Sequence, residues 1–142
     1  MPSRGGLLVL GRTGAGKTAS VVRALRRIVR AATDYRDPVL RLRWTTATEL
    51  AKARTEHRLG QGEPDVIREA RSAPVLVIDE FGFERADEAL WTDLIHERYQ
   101  SQSVTIATSG RDADAFALRY GSATMRKLTD PRGALLDIWG AK

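Results

Sequence analysis

Eight consecutive residues, Gly11 to Thr18, read GRTGAGKT. They satisfy the spacing G-x-x-x-x-G-K-[ST], and each fixed position has a chemical reason. Gly11, Gly14 and Gly16 let the backbone turn so that its N–H groups converge on anionic oxygens. Lys17 stands where an ammonium reaches the β- and γ-phosphates of a nucleotide, and Thr18 where a hydroxyl ligates Mg2+. The expected nucleotide contacts are Gly11, Arg12, Thr13, Gly14, Ala15, Gly16, Lys17, Thr18 and Ala19. A second acidic site, Asp79-Glu80, closes the apolar run VLVI. An acid at the carboxyl end of a strand sits where open α/β sheets bind ligands. Asp79 suits Mg2+ held through water, and Glu80 suits polarising an attacking water. The pair favours hydrolysis over transfer to a small acceptor.

Positioning these groups requires a strand before the loop and a helix after it. Gly6 to Leu10 is short and apolar, and Ser20 to Ala32 has helical periodicity. Val21, Val22, Leu25, Ile28 and Val29 share one face, and Arg23, Arg26, Arg27 and Arg30 share the other. Pro38 stops that helix. Val39 to Trp44 reads as a second strand, with Thr45 or Thr46 capping a helix to about Leu59 and Glu49 near the capping-box position. A short helix spans Asp65 to Arg71, and the buried strand carrying the two acids follows. Asp87 to Gln102 is helical, with Leu90, Trp91, Leu94, Ile95 and Tyr99 as its buried stripe. Ser103 to Thr108 is the fourth strand, Asp112 to Tyr120 and Ala123 to Leu128 are short helices, and Ala134 to Trp139 is the fifth strand. Strands alternating with helices predict an α/β fold: a parallel five-stranded sheet with helices on both faces.

The chain of 142 residues fits one domain, 1–142, and can bury a core without cross-links. No cysteine is present, which excludes disulfides and thiolate metal sites. No apolar stretch approaches the ~20 residues that span a bilayer, so no membrane role is expected and the reading places the chain in the cytoplasm. The formal charge is +5, carried mostly by arginine. A basic balance points to a polyanionic partner, most commonly nucleic acid.

Taken together in order, these stretches resemble the P-loop ATPases of the AAA+ class, specifically the bacterial helicase loaders (DnaC-like) and the transposition helper ATPases (IstB-like). VLVIDEFG looks like that group's second Walker motif. LIHERYQSQSVTIATS, Leu94 to Ser109, is similar to its helix ending in Arg-Tyr followed by a strand ending in Thr-Ser. SATMRKL, Ser122 to Leu128, looks like the segment with its trans-acting arginine, and TTATEL like the start of its second helix. The chain departs from the group in ending just after the fifth strand, so a core without a lid domain is expected. The resemblance implies a AAA+ core with strand order 5-1-4-3-2. It implies ATP and Mg2+ as ligands, ATP bound between neighbouring subunits of a homo-oligomer, and DNA, single-stranded by preference, contacted by the assembly. A replicative helicase or other protein is the implied further partner. Arg126 would be the finger reaching a neighbour's γ-phosphate, with Arg119 and Arg132 as fallbacks. Lys52, Arg54 and Arg58 would face DNA.

The sequence departs from that pattern at Gly110, where the group has a sensor asparagine. Thr108 or Ser109 is expected to orient the water instead. The reading that follows is an assembly-dependent, slow ATPase acting on DNA, most simply a helicase loader. A transposition helper on duplex DNA and a non-hydrolysing, ATP-gated DNA-binding module are the alternatives. A small-molecule kinase would need an acceptor pocket and an arginine-rich lid, for which no segment is long enough. His57 and His96 lack neighbours at metal-ligand spacing, and Trp44, Trp91 and Trp139 read as core.

Overall fold

The computed structural model describes residues 6–12, 14–34, 41–82, 84–85, 88–129 and 134–137. Five strands form one parallel sheet: β1 (Leu7–Leu10), β2 (Leu42–Thr46), β3 (Val75–Phe81), β4 (Val104–Ser109) and β5 (Ala134–Asp137). Their order is β2-β3-β4-β1-β5, the expected 5-1-4-3-2 seen from the other edge. Six helices connect them: α1 (Lys17–Asp34), α2 (Ala47–Thr55), α3 (Asp65–Ser72), α4 (Glu88–Gln100), α5 (Ala113–Tyr120) and α6 (Ser122–Thr129).

Strand alternation divides the core between the two faces of the sheet. Val9, Val77 and Ile106 pack against Val21, Ala24, Leu25 and Ile28 of α1. On the opposite face Leu8, Leu10, Leu76, Ile78 and Ala107 join Leu50, Ile67, Leu94, Phe116 and Leu128 from the other helices. The central strands β1, β3 and β4 have buried runs, as expected of a sheet covered on both sides. Helix α1 thus carries the glycine loop on one end and seals one face with its length.

Several boundaries differ from the sequence reading, each for a local reason. Helix α1 begins at Lys17 rather than Ser20, because the loop leads straight into its first turn. Strand β2 runs from Leu42 to Thr46, two residues beyond Trp44, while the expected start at Val39 lies outside the described residues. The Thr46 hydroxyl accepts from the Glu49 N–H at 3.0 Å and caps α2. The Glu49 carboxylate accepts from the Thr45 hydroxyl at 2.7 Å. Helix α2 stops at Thr55, short of Leu59, as the chain turns through Gly60 and Gly62 at φ 88° and 73°. Strand β4 is shifted one residue onward, ending at Ser109, and α4 ends at Gln100, ahead of Gln102 at φ 58°. Strand β5 ends at Asp137, and Trp139 lies outside the described residues.

Three expected core residues are exposed. Trp44 is 40% exposed, because β2 is an edge strand. Val29 is 49% exposed toward the end of α1. On α4, Tyr99 is 41% exposed and the residue before it, Arg98, takes the buried position at 1%. Trp91 is buried as expected. No helix among the described residues is long and apolar enough to cross a membrane.

Candidate functional site

The loop after β1 begins tied to the sheet: the Gly11 N–H donates to the Ser109 carbonyl at 3.1 Å. The chain then turns at Gly14 and Gly16, with φ of 81° and 94°, and no atom lies within 4 Å of where a side chain would start at either. That backbone is strained for any other residue and leaves open space over the N-terminus of α1. The Lys17 ammonium donates to the carbonyls of Gly11 and Arg12 at 2.7 and 2.9 Å, so it lies across the mouth of the loop. Thr13 lies outside the described residues.

A cleft of about 370 Å³ opens there, lined among the described residues by Gly14, Gly16, Lys17, Thr18, Asp79, Glu80 and Gly110. The fold thus brings the glycine loop and the acid pair, 61 residues apart from Thr18 to Asp79, to one place. Gly11, Arg12, Ala15 and Ala19 stand in the loop and first helical turn beside it. The donor set suits a nucleotide phosphate with a hard cation. Backbone turns with inward space, a helix N-terminus and an ammonium suit the anion. A hydroxyl oxygen and a carboxylate suit Mg2+.

Strand β3 breaks its register with β4 between Ile78 and Phe81, at the position of the acids. Glu80 adopts φ 61°, a left-handed conformation for a side chain with no intrinsic preference for it. Its N–H is held by the Asp79 carboxylate at 3.1 Å and by the Thr108 hydroxyl at 3.0 Å. Such strain costs about 1–3 kcal/mol and persists only where the surroundings over-determine it.

Thr108 and Ser109 are fully buried and turn their hydroxyls to the sheet. The Thr108 hydroxyl donates to Asp79. The Ser109 hydroxyl donates to the Phe81 carbonyl at 2.8 Å and accepts from the Arg111 N–H at 3.1 Å. From this strand end the cleft-lining residue is Gly110. Thr108 thus reaches the site through Asp79.

Arg126 is exposed on α6 and does not line the cleft. Of its fallbacks, Arg119 is engaged by Glu84 and Tyr120, and Arg132 lies outside the described residues. The basic residues Lys52, Arg54 and Arg58, and the α1 row Arg23, Arg26, Arg27 and Arg30, are all exposed.

Sequence reasoning missed Glu84, a wholly buried carboxylate that receives the Gly82 N–H at 2.8 Å. It also missed Arg98. That guanidinium donates to the Thr105 hydroxyl at 2.9 Å and to the carbonyls of Ala70, Ala73 and Val104, each at 2.7 Å. Burial without a counter-charge lowers its pKa to about 10. A charged residue at the next helical repeat of an apolar stripe was the available clue to Arg98, since 90, 91, 94, 95 and 98 share one face.

No protein-family model matches the sequence, and no curated protein matches it. Solved structures do. The DnaC helicase loader superposes with a TM-score of 0.74 at 24% identity, covering 96% of this chain and 79% of that one. DnaI superposes with 0.71 at 18% identity, covering 97% and 73%. The replication initiator DnaA bound to AMPPCP and single-stranded DNA superposes with 0.60 at 19% identity, covering 94% of this chain and 40% of that one. The chain has the α/β P-loop fold that these solved structures share.

Proposed function

We propose that this protein is a AAA+ ATPase of DNA replication that binds and hydrolyses ATP, assembles on DNA, and serves as a helicase loader. The observation that carries the reading is the cleft joining Lys17, Thr18, Asp79 and Glu80. The likeness to a helicase loader supports the loading role, and the likeness to DnaA with AMPPCP and single-stranded DNA supports the ligands.

In this reading the loop N–H groups and Lys17 bind the β- and γ-phosphates. The Thr18 hydroxyl and the Asp79 carboxylate would hold Mg2+, which would supply positive charge against the phosphate oxygens. Glu80 orients a water for attack and draws off its proton. Arg126 of a neighbouring copy adds charge in trans, an effect worth ~10³–10⁵ in rate in enzymes of this mechanism.

The test separates binding from turnover. Lys17→Ala should abolish binding of a fluorescent ATP analogue. Glu80→Gln should bind it with wild-type affinity and turn over at least ~10²-fold more slowly. Normal turnover in Glu80→Gln would remove that residue from the chemistry.

Gly110 favours a second reading. It lines the cleft where a water-orienting side chain would help, and it has none. An ATP-gated DNA-binding switch without turnover would show ATP-dependent DNA binding and no phosphate release from the wild type.

A further inference from the structure

The segment that carries Glu80 is held from behind by a side chain outside the cleft. Two residues after Glu80, Gly82 adopts φ 115°. Its N–H donates to Glu84 Oε2 at 2.8 Å, and its carbonyl accepts from Arg111 Nη2 at 3.1 Å. Between the two, the Phe81 ring lies edge-on to Trp91, Tyr120 and Phe116, with centroids at 4.7, 5.2 and 6.0 Å. Every handle on this turn is thus gripped: Glu80 by Asp79 and Thr108, Phe81 by aromatic rings, Gly82 by Glu84 and Arg111.

Glu84 is itself fixed from α5. Its Oε1 accepts from the Tyr120 hydroxyl, and the Arg119 guanidinium stands 3.6 Å away. Arg119 also donates to the Glu84 carbonyl, and its Nε to the Tyr120 oxygen at 3.1 Å. Burial, and then the bond to Glu84, push the Tyr120 pKa above its ordinary value, so the phenol stays a donor at neutral pH. Immediately after Tyr120 the chain turns at Gly121, φ 91°, into α6 with Arg126.

We propose that Glu84 is a positioning residue: it locks the turn at residues 80–82 so that Glu80 faces the cleft, and it ties that turn to the α5–α6 arm. A left-handed glutamate relaxes toward ordinary backbone once its restraints are removed. Relaxation would swing the carboxylate away from the γ-phosphate, and a misplacement of about 1 Å costs on the order of 10² in rate. The proposal rests on the hydrolysis reading for its rate consequence, but not for the state of the turn.

The test uses Glu84→Gln, with Tyr120→Phe as a milder variant that removes one hydroxyl. Amide hydrogen exchange is read at Glu80 and Gly82 alongside kcat per nucleotide-binding site, KM and melting temperature. The expected result is exchange at least ~10-fold faster at both amides, with the amides of 75–78 unchanged. The kcat of Glu84→Gln should fall ~10–100-fold at a KM within about twofold. Tyr120→Phe should move both readouts the same way by less. Wild-type exchange at Glu80 in both variants overturns the lock. So does a lowered melting temperature with an unchanged kcat per binding site, which is the mark of a merely structural role. Faster exchange in a protein whose wild type shows no turnover upholds the lock and sinks the hydrolysis reading alone.

Discussion

Thr108 shows how a site residue can act without touching the cleft. Its hydroxyl donates to Asp79 and accepts from the Glu80 N–H, so one oxygen fixes both acids. Thr108→Val keeps the shape, leaves the Glu80 N–H with the Asp79 carboxylate as its remaining acceptor and takes one donor from that carboxylate. Stability should drop by about 1–3 kcal/mol, measured by urea unfolding. Half-maximal turnover should need several-fold more Mg2+, because Asp79 loses the bond that aims it. An unchanged Mg2+ titration would show that Asp79 is oriented by other means. The loop and the acids were legible because they are contiguous and their spacing is dictated by phosphate chemistry. Thr108 was legible as a site residue but its bonds to the two acids were not, and Glu84 was not legible at all, since these partners lie 28 and 36 residues away along the chain and nothing local in the sequence marks such a bond.

Helix α4 carries the same lesson to a whole element. Its periodicity predicted Leu90, Trp91, Leu94 and Ile95 as the buried face, and all four are buried. It then continues through Arg98, which sequence reasoning passed over for Tyr99 because arginine is rarely buried unless paired. Here the guanidinium is paired with neutral oxygens. It gathers the end of α3, the turn into β3 and the start of β4 by donating to a carbonyl of each. Arg98→Met fills the space and removes these donors. Relief of the buried charge offsets part of the loss, giving a net destabilisation on the order of 2–4 kcal/mol in urea unfolding. Arg98→Lys should recover little, because one ammonium cannot present the forked set of donors. The penalty should be flat from pH 6 to 9. A pKa of about 10 keeps Arg98 charged throughout that range. Its folded value lies below the ordinary arginine value, so its linkage would favour the fold only as pH rises above about 10. A difference from wild type that changes within pH 6–9 would assign the clasp to another group. The sheet order and helix placement were legible from alternation and resemblance. The expected order already placed β2 at an edge, yet Trp44 was read as core on its apolar character alone, and it is exposed.

At the scale of the whole molecule, the cleft supplies every group of the proposed chemistry except a second cation beside the γ-phosphate. Among the described residues no arginine lines it, and Arg126 is exposed on α6. In the proposed reading Arg126 acts on a neighbour's cleft, and turnover is then a property of an interface. The rate per subunit should then rise with protein concentration by mass action. Single-stranded DNA should raise it further by gathering copies of a chain with net charge +5, and added salt should weaken that stimulation. Complementation tests the shared site directly. Lys17→Ala lacks a working cleft but keeps Arg126; Arg126→Ala keeps the cleft but lacks the cation. Each alone should be nearly silent. Mixed in equal amounts, about a quarter of interfaces would pair an intact cleft with an intact arginine, and activity should return to roughly that fraction of wild type. A silent mixture, with a wild-type rate per subunit that stays flat with concentration, would place the whole reaction within one chain and leave Arg126 as a surface residue.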